Sequence, residues 1–213
     1  GSLDTSFGGG DGWQVTDFSN QDRGWDVKIQ SNGKIVVAGI CNYANVSGDG
    51  RYGLVGRFNT DGSLDTSFSG DGKICQDHGG STDTYQTLEI QSNGKIIAAG
   101  YTNNGGNGSD VAAARFTTAG ALDTSFSGDG LFQLDTGNQH QEYIHGSSLT
   151  PAGQSILLVG QIVQATDGDA FILIQQHLHV LSKPVCLLCI IQHLDAHHPG
   201  LPPGRQSSLQ PLG

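Results

Sequence analysis

Leu3-Asp4-Thr5-Ser6-Phe7 recurs as Leu64-Asp65-Thr66-Ser67-Phe68 and again as Leu122-Asp123-Thr124-Ser125-Phe126. The copies start 61 and then 58 residues apart, so an internal repeat is fixed before any element is assigned. Other landmarks keep the period. Gly-Asp-Gly follows each copy at 10–12, 70–72 and 128–130. Ile-Gln-Ser-Asn-Gly-Lys-Ile fills 29–35 and 90–96, with 149–156 as a looser third version. Each leads into an apolar run that ends in Gly39, Gly100 or Gly160, and Arg57-Phe58 and Arg115-Phe116 close two of the units. The chain therefore divides into repeats at 1–61 and 62–120, a degenerate repeat at 121–175, and a non-repeat segment at 176–213.

Within a unit the pattern is strand after strand. Trp13 to Thr16 alternates with period two, and Trp25, Val27 and Ile29 alternate with Asp26, Lys28 and Gln30, as half-buried strands do. Asn32-Gly33 predicts a tight two-residue hairpin turn with positive φ angles. Lys34 to Ile40 is nearly all apolar and suits a strand covered on both faces. Tyr52, Leu54 and Phe58 mark a fourth strand, which Asp61-Gly62 ends. Four antiparallel strands per unit predict an all-β, propeller-like array of about three blades. A closed ring needs at least about four blades, so this ring is incomplete.

Composition agrees with hairpins and excludes several functions. Glycine supplies 33 of 213 residues, roughly twice the usual share, without a collagen-like period. The formal charge of −10 argues against a nucleic-acid or anionic-membrane surface. No apolar run is long enough to span a bilayer as a helix, and no signal-peptide pattern opens the sequence. The absence of Met, with the entry in mid-register, points to a piece of a longer chain.

The recurring strings resemble the delta-60 repeat, closely over 1–120 and partially over 121–175. That resemblance implies a propeller-like β repeat of large bacterial surface or secreted proteins, hence an extracellular or cell-surface location. It carries no catalytic residues.

Candidate sites follow from where the repeats differ. The segments 42–51, 103–109 and 164–168 vary in length and are rich in Asn, Gly, Asp and Ser. They either drift without constraint or form one binding face. Its candidate residues are Asn42, Tyr43, Asn45, Asp49, Arg51, Asn103, Asn104, Asn107 and Asp167. Asp11, Asp71 and Asp129 are calcium candidates, although each supplies at most two of the six to eight oxygens Ca²⁺ takes, and Asp-Gly is also a turn signal. Asp4, Asp65 and Asp123 read as backbone-capping residues. Cys41 and Cys75 lie at non-equivalent repeat positions and read as unpaired small apolar residues. His78, His140 and His145 show no partner at ligand spacing.

Repeat three is worn, and from 176 the character changes. The last 38 residues hold five of the six prolines and five of the eight histidines. Cys186, Cys189, His193 and His197 could supply four zinc ligands, but only three residues separate the halves where a finger has about twelve. The competing expectation is a disordered extension or a frameshift product outside the fold.

Two function classes remain. The first is a non-catalytic binding, adhesion or scaffolding module that presents the variable loops to a glycan or protein, needing no cofactor. Neighbouring blades, or self-association through open strand edges, would complete it. The alternative is a fragment of a propeller hydrolase or lyase. It would need His, Glu or Arg near the axis, where the repeats read as small and apolar. Glu89 and Glu142, the chain's two glutamates, occupy non-equivalent positions.

Overall fold

Alternating apolar strands punctuated by Gly and Asx turns can bury both faces only by stacking sheet on sheet. The computed structural model does so. It describes residues 1–19, 21–42, 50–103, 108–135, 141–151, 153, 155–163, 168–175 and 189–192. The first sheet is β1 (Arg23–Ile29), β2 (Ile35–Asn42), β3 (Arg51–Phe58) and β4 (Lys73–Gln76). The second is β5 (Thr82–Ile90), β6 (Ile96–Asn103), β7 (Asp110–Phe116) and β8 (Leu131–Leu134). The third is β9 (Gln141–Leu149), β10 (Ile156–Val163), β11 (Gly168–Gln175) and β12 (Cys189–Gln192). Within each sheet successive strands pair antiparallel. The result is an open, propeller-like array of four-stranded blades.

Sheets and sequence repeats are offset. β4 and β8 open repeats two and three, yet they pair with the last strands of repeats one and two. Each blade thus borrows its fourth strand from the repeat that follows. This corrects the reading of Trp13 to Thr16. Those residues form no strand, whereas their counterparts β4 and β8 are strands through their pairing with β3 and β7, and Trp13 and Val15 stand exposed. It also corrects the expectation that everything after 175 lies outside the fold. Cys189–Gln192, an apolar run, occupies the fourth-strand place beside β11. The remainder of that segment lies outside the described residues.

The turn at Asn32-Gly33 is larger by one residue than the sequence predicts. Gln30 N–H donates to Lys34 O (2.8 Å) and Gly33 N–H to Gln30 O (2.8 Å). The loop is therefore Ser31-Asn32-Gly33, with Gly33 alone at positive φ (83°). Such a three-residue loop needs a left-handed residue only at its last position. The Asn32 side chain accepts from Lys34 N–H instead (3.1 Å). Repeat two builds the same loop at 91–95.

β6 shows why the central strands read as continuous apolar runs. Ile96 and Ala98 point into the core shared with the first blade, Ile97 and Ala99 into the core shared with the third. Phe68 anchors one core and Phe126 the other. Gly53 lets the blades approach closely, since a Cβ there would lie 2.5 Å from the Tyr85 ring. By contrast, Trp25, Val27 and Ile29 of β1 are exposed, while Leu88, the counterpart of Val27, is buried.

The recurrent Asp-Thr-Ser-Phe string is a buried ion-pair node. Asp65 Oδ1 accepts from the Ser67 N–H and hydroxyl, while Oδ2 meets Arg57 Nε (2.6 Å) and Lys34 Nζ (2.5 Å). Arg57 lies over the Phe68 ring, 4.5 Å from its centre, and donates to Thr118 O in the next repeat at 2.6 Å. Asp123 repeats the pattern with Ser125, Lys95 and Arg115. Burial pushes both carboxyls up, but the hydrogen bonds from lysine and serine and the adjacent arginines outweigh it and hold them well below the usual range. In the third blade, ladder register puts Ile174 where Arg57 and Arg115 stand, and Ser155 replaces the lysine. Both cations are lost together, as is the Asp-Thr-Ser-Phe string that would have followed.

We expect Asp65→Asn to cost about 3–5 kcal/mol by leaving buried cations without their carboxylate. Asp4, whose side chain accepts from the Ser6 N–H and hydroxyl, is exposed, so Asp4→Asn should leave the urea midpoint unchanged. Equal midpoints for the two variants would remove the node from its structural role.

Candidate functional site

The strand ends away from the Asn-Gly turns carry the length-variable loops, and there neighbouring blades touch through their backbones. Arg51 bridges Thr82 in parallel, and Ser109 bridges Gln141 the same way one blade later. These two bridges bring three sheets around one cleft of about 420 Å³. Its lining is Arg51 from the first blade, Thr82, Tyr101, Asn103, Gly108 and Ser109 from the second, and Gln141 and Tyr143 from the third.

Two tyrosines shape it. Tyr101 and Tyr143 meet edge to face, with ring centres 5.6 Å apart at 79°. Tyr143 donates its hydroxyl to Gln141 Oε1 at 2.8 Å. Burial, with the neighbouring Tyr143, raises Tyr101 above its ordinary value against the opposing pull of Arg51, so its hydroxyl stays protonated. Ser109 is fixed from behind, since Glu142 N–H donates to its hydroxyl oxygen at 3.0 Å.

The base of the first loop is stapled covalently. Cys41 and Cys75 form a disulfide, with Cα atoms 6.2 Å apart, which corrects their reading as free apolar residues. Their positions differ between repeats because the bond joins β2 to β4, a strand borrowed from the following unit. Beneath the same face lies a buried polar cluster. His78 Nε2 and the Tyr85 hydroxyl are 2.8 Å apart, so His78 has a partner that sequence spacing did not show. Asp83 accepts from His78 N–H (2.8 Å) and from the Thr102 hydroxyl (2.5 Å).

Of the sequence candidates, Arg51 and Asn103 enter the cleft, and Asn42 pairs with Arg51 in the ladder without lining it. Tyr43, Asn45, Asp49, Asn104, Asn107 and Asp167 lie outside the described residues. Sequence reasoning missed Thr82, Tyr101, Gln141 and Tyr143, and reached Ser109 only as part of the segment 103–109. The available signal was a tyrosine at 101 where the repeat-one counterpart is Ile40.

Asp71 and Asp129 each accept the N–H two residues on, at 2.9 Å, which is turn-capping geometry, and Asp11 is exposed in the matching turn. Among the described residues no three His, Cys, Asp or Glu side chains converge as a metal set would. Cys189 begins β12, while Cys186, His193 and His197 lie outside the described residues.

The first strands of the blades are not lined by small and apolar residues alone, as the sequence suggested. Asp26 accepts from Leu88 N–H (2.9 Å) and the Thr87 hydroxyl (3.3 Å). The Thr87 and Ser147 hydroxyls are 2.6 Å apart, Ser147 donates to Glu89 at 3.0 Å, and Lys28 stands 3.6 Å from that carboxylate. Period-two alternation predicts which residues share a face, but it cannot show that polar residues of three strands meet.

The His78–Asp83 cluster gives opposed pH dependences. Burial raises Asp83 from 3.8 to about 6, with Asp77 adding to the shift against the bonds from Thr102 and His78. Its contribution to stability is present below 3.8 and lost as pH rises through 6. Burial lowers His78 from 6.5 to about 4 against the pull of Asp77 and Asp129, so its contribution is present above 6.5 and lost as pH falls through 4. Relative to the unmodified chain, His78→Gln should make stability fall as pH rises from about 4 to 6, and Asp83→Asn should make it rise. Urea midpoints across that range check this, and parallel curves would refute it.

A family model described as "Domain of unknown function (DUF5122) beta-propeller" matches residues 30–68 and 91–126. Each matched stretch runs from the Gln that opens the three-residue loop to the Phe beneath the buried arginine. No curated protein and no solved structure matches the chain. Sheet order and matched repeats together make this a propeller-like β-repeat protein.

Proposed function

We propose that the chain is a non-catalytic binding module of a bacterial cell-surface or secreted protein, and that it takes a glycan or protein ligand in the cleft between its three blades. The delta-60 resemblance motivates the location. The Cys41–Cys75 disulfide supports it, because such bonds persist in oxidising compartments and are rare in the cytosol.

The observation that carries the reading is the convergence of Arg51, Tyr101 and Tyr143 from three different sheets on one open cleft. Concave sites built at blade junctions gather side chains that no single repeat supplies. Tyrosine offers a broad apolar face and a polar tip with few rotatable bonds, so it recognises ligands at low entropic cost. The variable segments 42–51 and 103–109 contribute Arg51, Asn103, Gly108 and Ser109 to the cleft, so changes in their length would alter the ligand while the blades stay constant.

The test is an array of immobilised oligosaccharides and peptides probed with the intact chain and with Tyr143→Ala. The reading expects at least about a tenfold loss of signal on bound ligands. Binding that is indifferent to Tyr143→Ala would place the ligand elsewhere and sink the reading.

A further inference from the structure

The cleft presents several donors and no carboxylate among its described lining residues. Arg51 presents the five N–H groups of its guanidinium and forms no ion pair among the described residues. Gln141 has its Oε1 occupied by the Tyr143 hydroxyl, which leaves its NH₂ facing outward as a donor. The Tyr101 and Thr82 hydroxyls add two more. No Asp or Glu is among the described lining residues, although the chain as a whole carries −10. Asp83 and Glu142 follow Thr82 and Gln141 directly but are fully buried, since successive strand residues point to opposite faces. Among the described residues, the only formal charge lining the cleft is therefore the Arg51 cation.

A ligand complementary to this lining brings acceptors, an anionic group and a flat apolar face. We propose that the cleft takes a carboxylate-bearing saccharide, with Arg51 pairing the carboxylate and Tyr101 and Tyr143 packing against the C–H face of the ring. A guanidinium fork matches a carboxylate in two parallel hydrogen bonds, which a neutral sugar cannot offer. Ring hydroxyls find Gln141 and Thr82 along the walls. A saccharide fits better than an acidic peptide because the described lining holds no aliphatic side chain to anchor an apolar residue. This inference rests on the cleft reading above and adds the chemical class of the ligand.

The experiment is calorimetric titration of the intact chain with a galacturonate tetramer, a neutral galactose tetramer and tetraglutamate. It is repeated for Arg51→Gln, Arg51→Lys and Tyr143→Ala. Arg51 is exposed, so its variants should keep the parental urea midpoint, which serves as the folding control. The galacturonate should bind at least about tenfold more tightly than the neutral tetramer. Arg51→Gln should bring the two within about twofold, Arg51→Lys should keep part of the preference, and Tyr143→Ala should weaken both. Equal binding of the two tetramers that is lost in Tyr143→Ala would overturn the acidic-ligand inference and leave the cleft reading standing. Tighter binding of tetraglutamate than of galacturonate would overturn the saccharide class in the same way. A galacturonate preference that survives Arg51→Gln, or no binding by any probe, also overturns the inference. Saccharide binding unaffected by Tyr143→Ala would instead strike at the cleft reading itself.

Discussion

Asp65 and Asp123 each sit below the surface with an arginine and a lysine on one oxygen and a serine on the other. Taking a carboxylate out of water costs several kcal/mol, and a lone ion pair often fails to repay it. Here one carboxylate collects the strand-borne arginine, the lysine after the hairpin, and the N–H and hydroxyl of its own turn. Three chain segments are tied at a single point, and the arginine reaches on to the carbonyl of Thr118 in the next repeat. Backbone bonds from Asp65 N–H to Arg57 O and from Arg57 N–H to Gly72 O place the turn before the borrowed strand, and the node adds the side-chain ties across it. The third blade lacks both cations, and no Asp-Thr-Ser-Phe string follows it.

The two ends of the blades have divided their tasks. At the Asn-Gly end, each blade hands a Gln side chain to the next, Gln30 to Gly94 O and Gln91 to Gly153 O, in the same way each time. At the other end the backbone bridges also repeat, Arg51 to Thr82 and Ser109 to Gln141, but the side-chain contacts differ from blade to blade: a disulfide in the first, a tyrosine pair between the second and third, a histidine–tyrosine bond beneath. Uniform joints at both ends set the spacing of the sheets, which leaves the side chains of one end free to diversify.

Much of this was legible in the sequence, where the signal is local. Identical pentapeptides gave the period, and the runs at 35–40 and 96–100 announced strands buried on both faces. The offset between repeat and sheet was not legible, because which edge Lys73–Gln76 pairs with is decided by a partner far along the chain. Cys41 and Cys75 misled for the same reason. Compared repeat by repeat they are strangers, and only β3 lying between their strands brings them within reach. In the site, Arg51 and Asn103 could be found because they flank segments of uneven length. Tyr101 and Tyr143 lie inside regular strands, where an aromatic residue looks like ordinary core until the neighbouring blade is in place.

Borrowing a strand from the following unit also sets an order in time. A ribosome releases the chain from its N-terminus, and domains generally fold as they emerge. Here no blade can close on its own repeat. β1 to β3 must wait, with one edge of β3 unpaired, until Lys73–Gln76 has left the exit tunnel, and β5 to β7 must wait for Leu131–Leu134. The growing array always carries one open edge at its leading end, and each new repeat closes the old edge while creating the next.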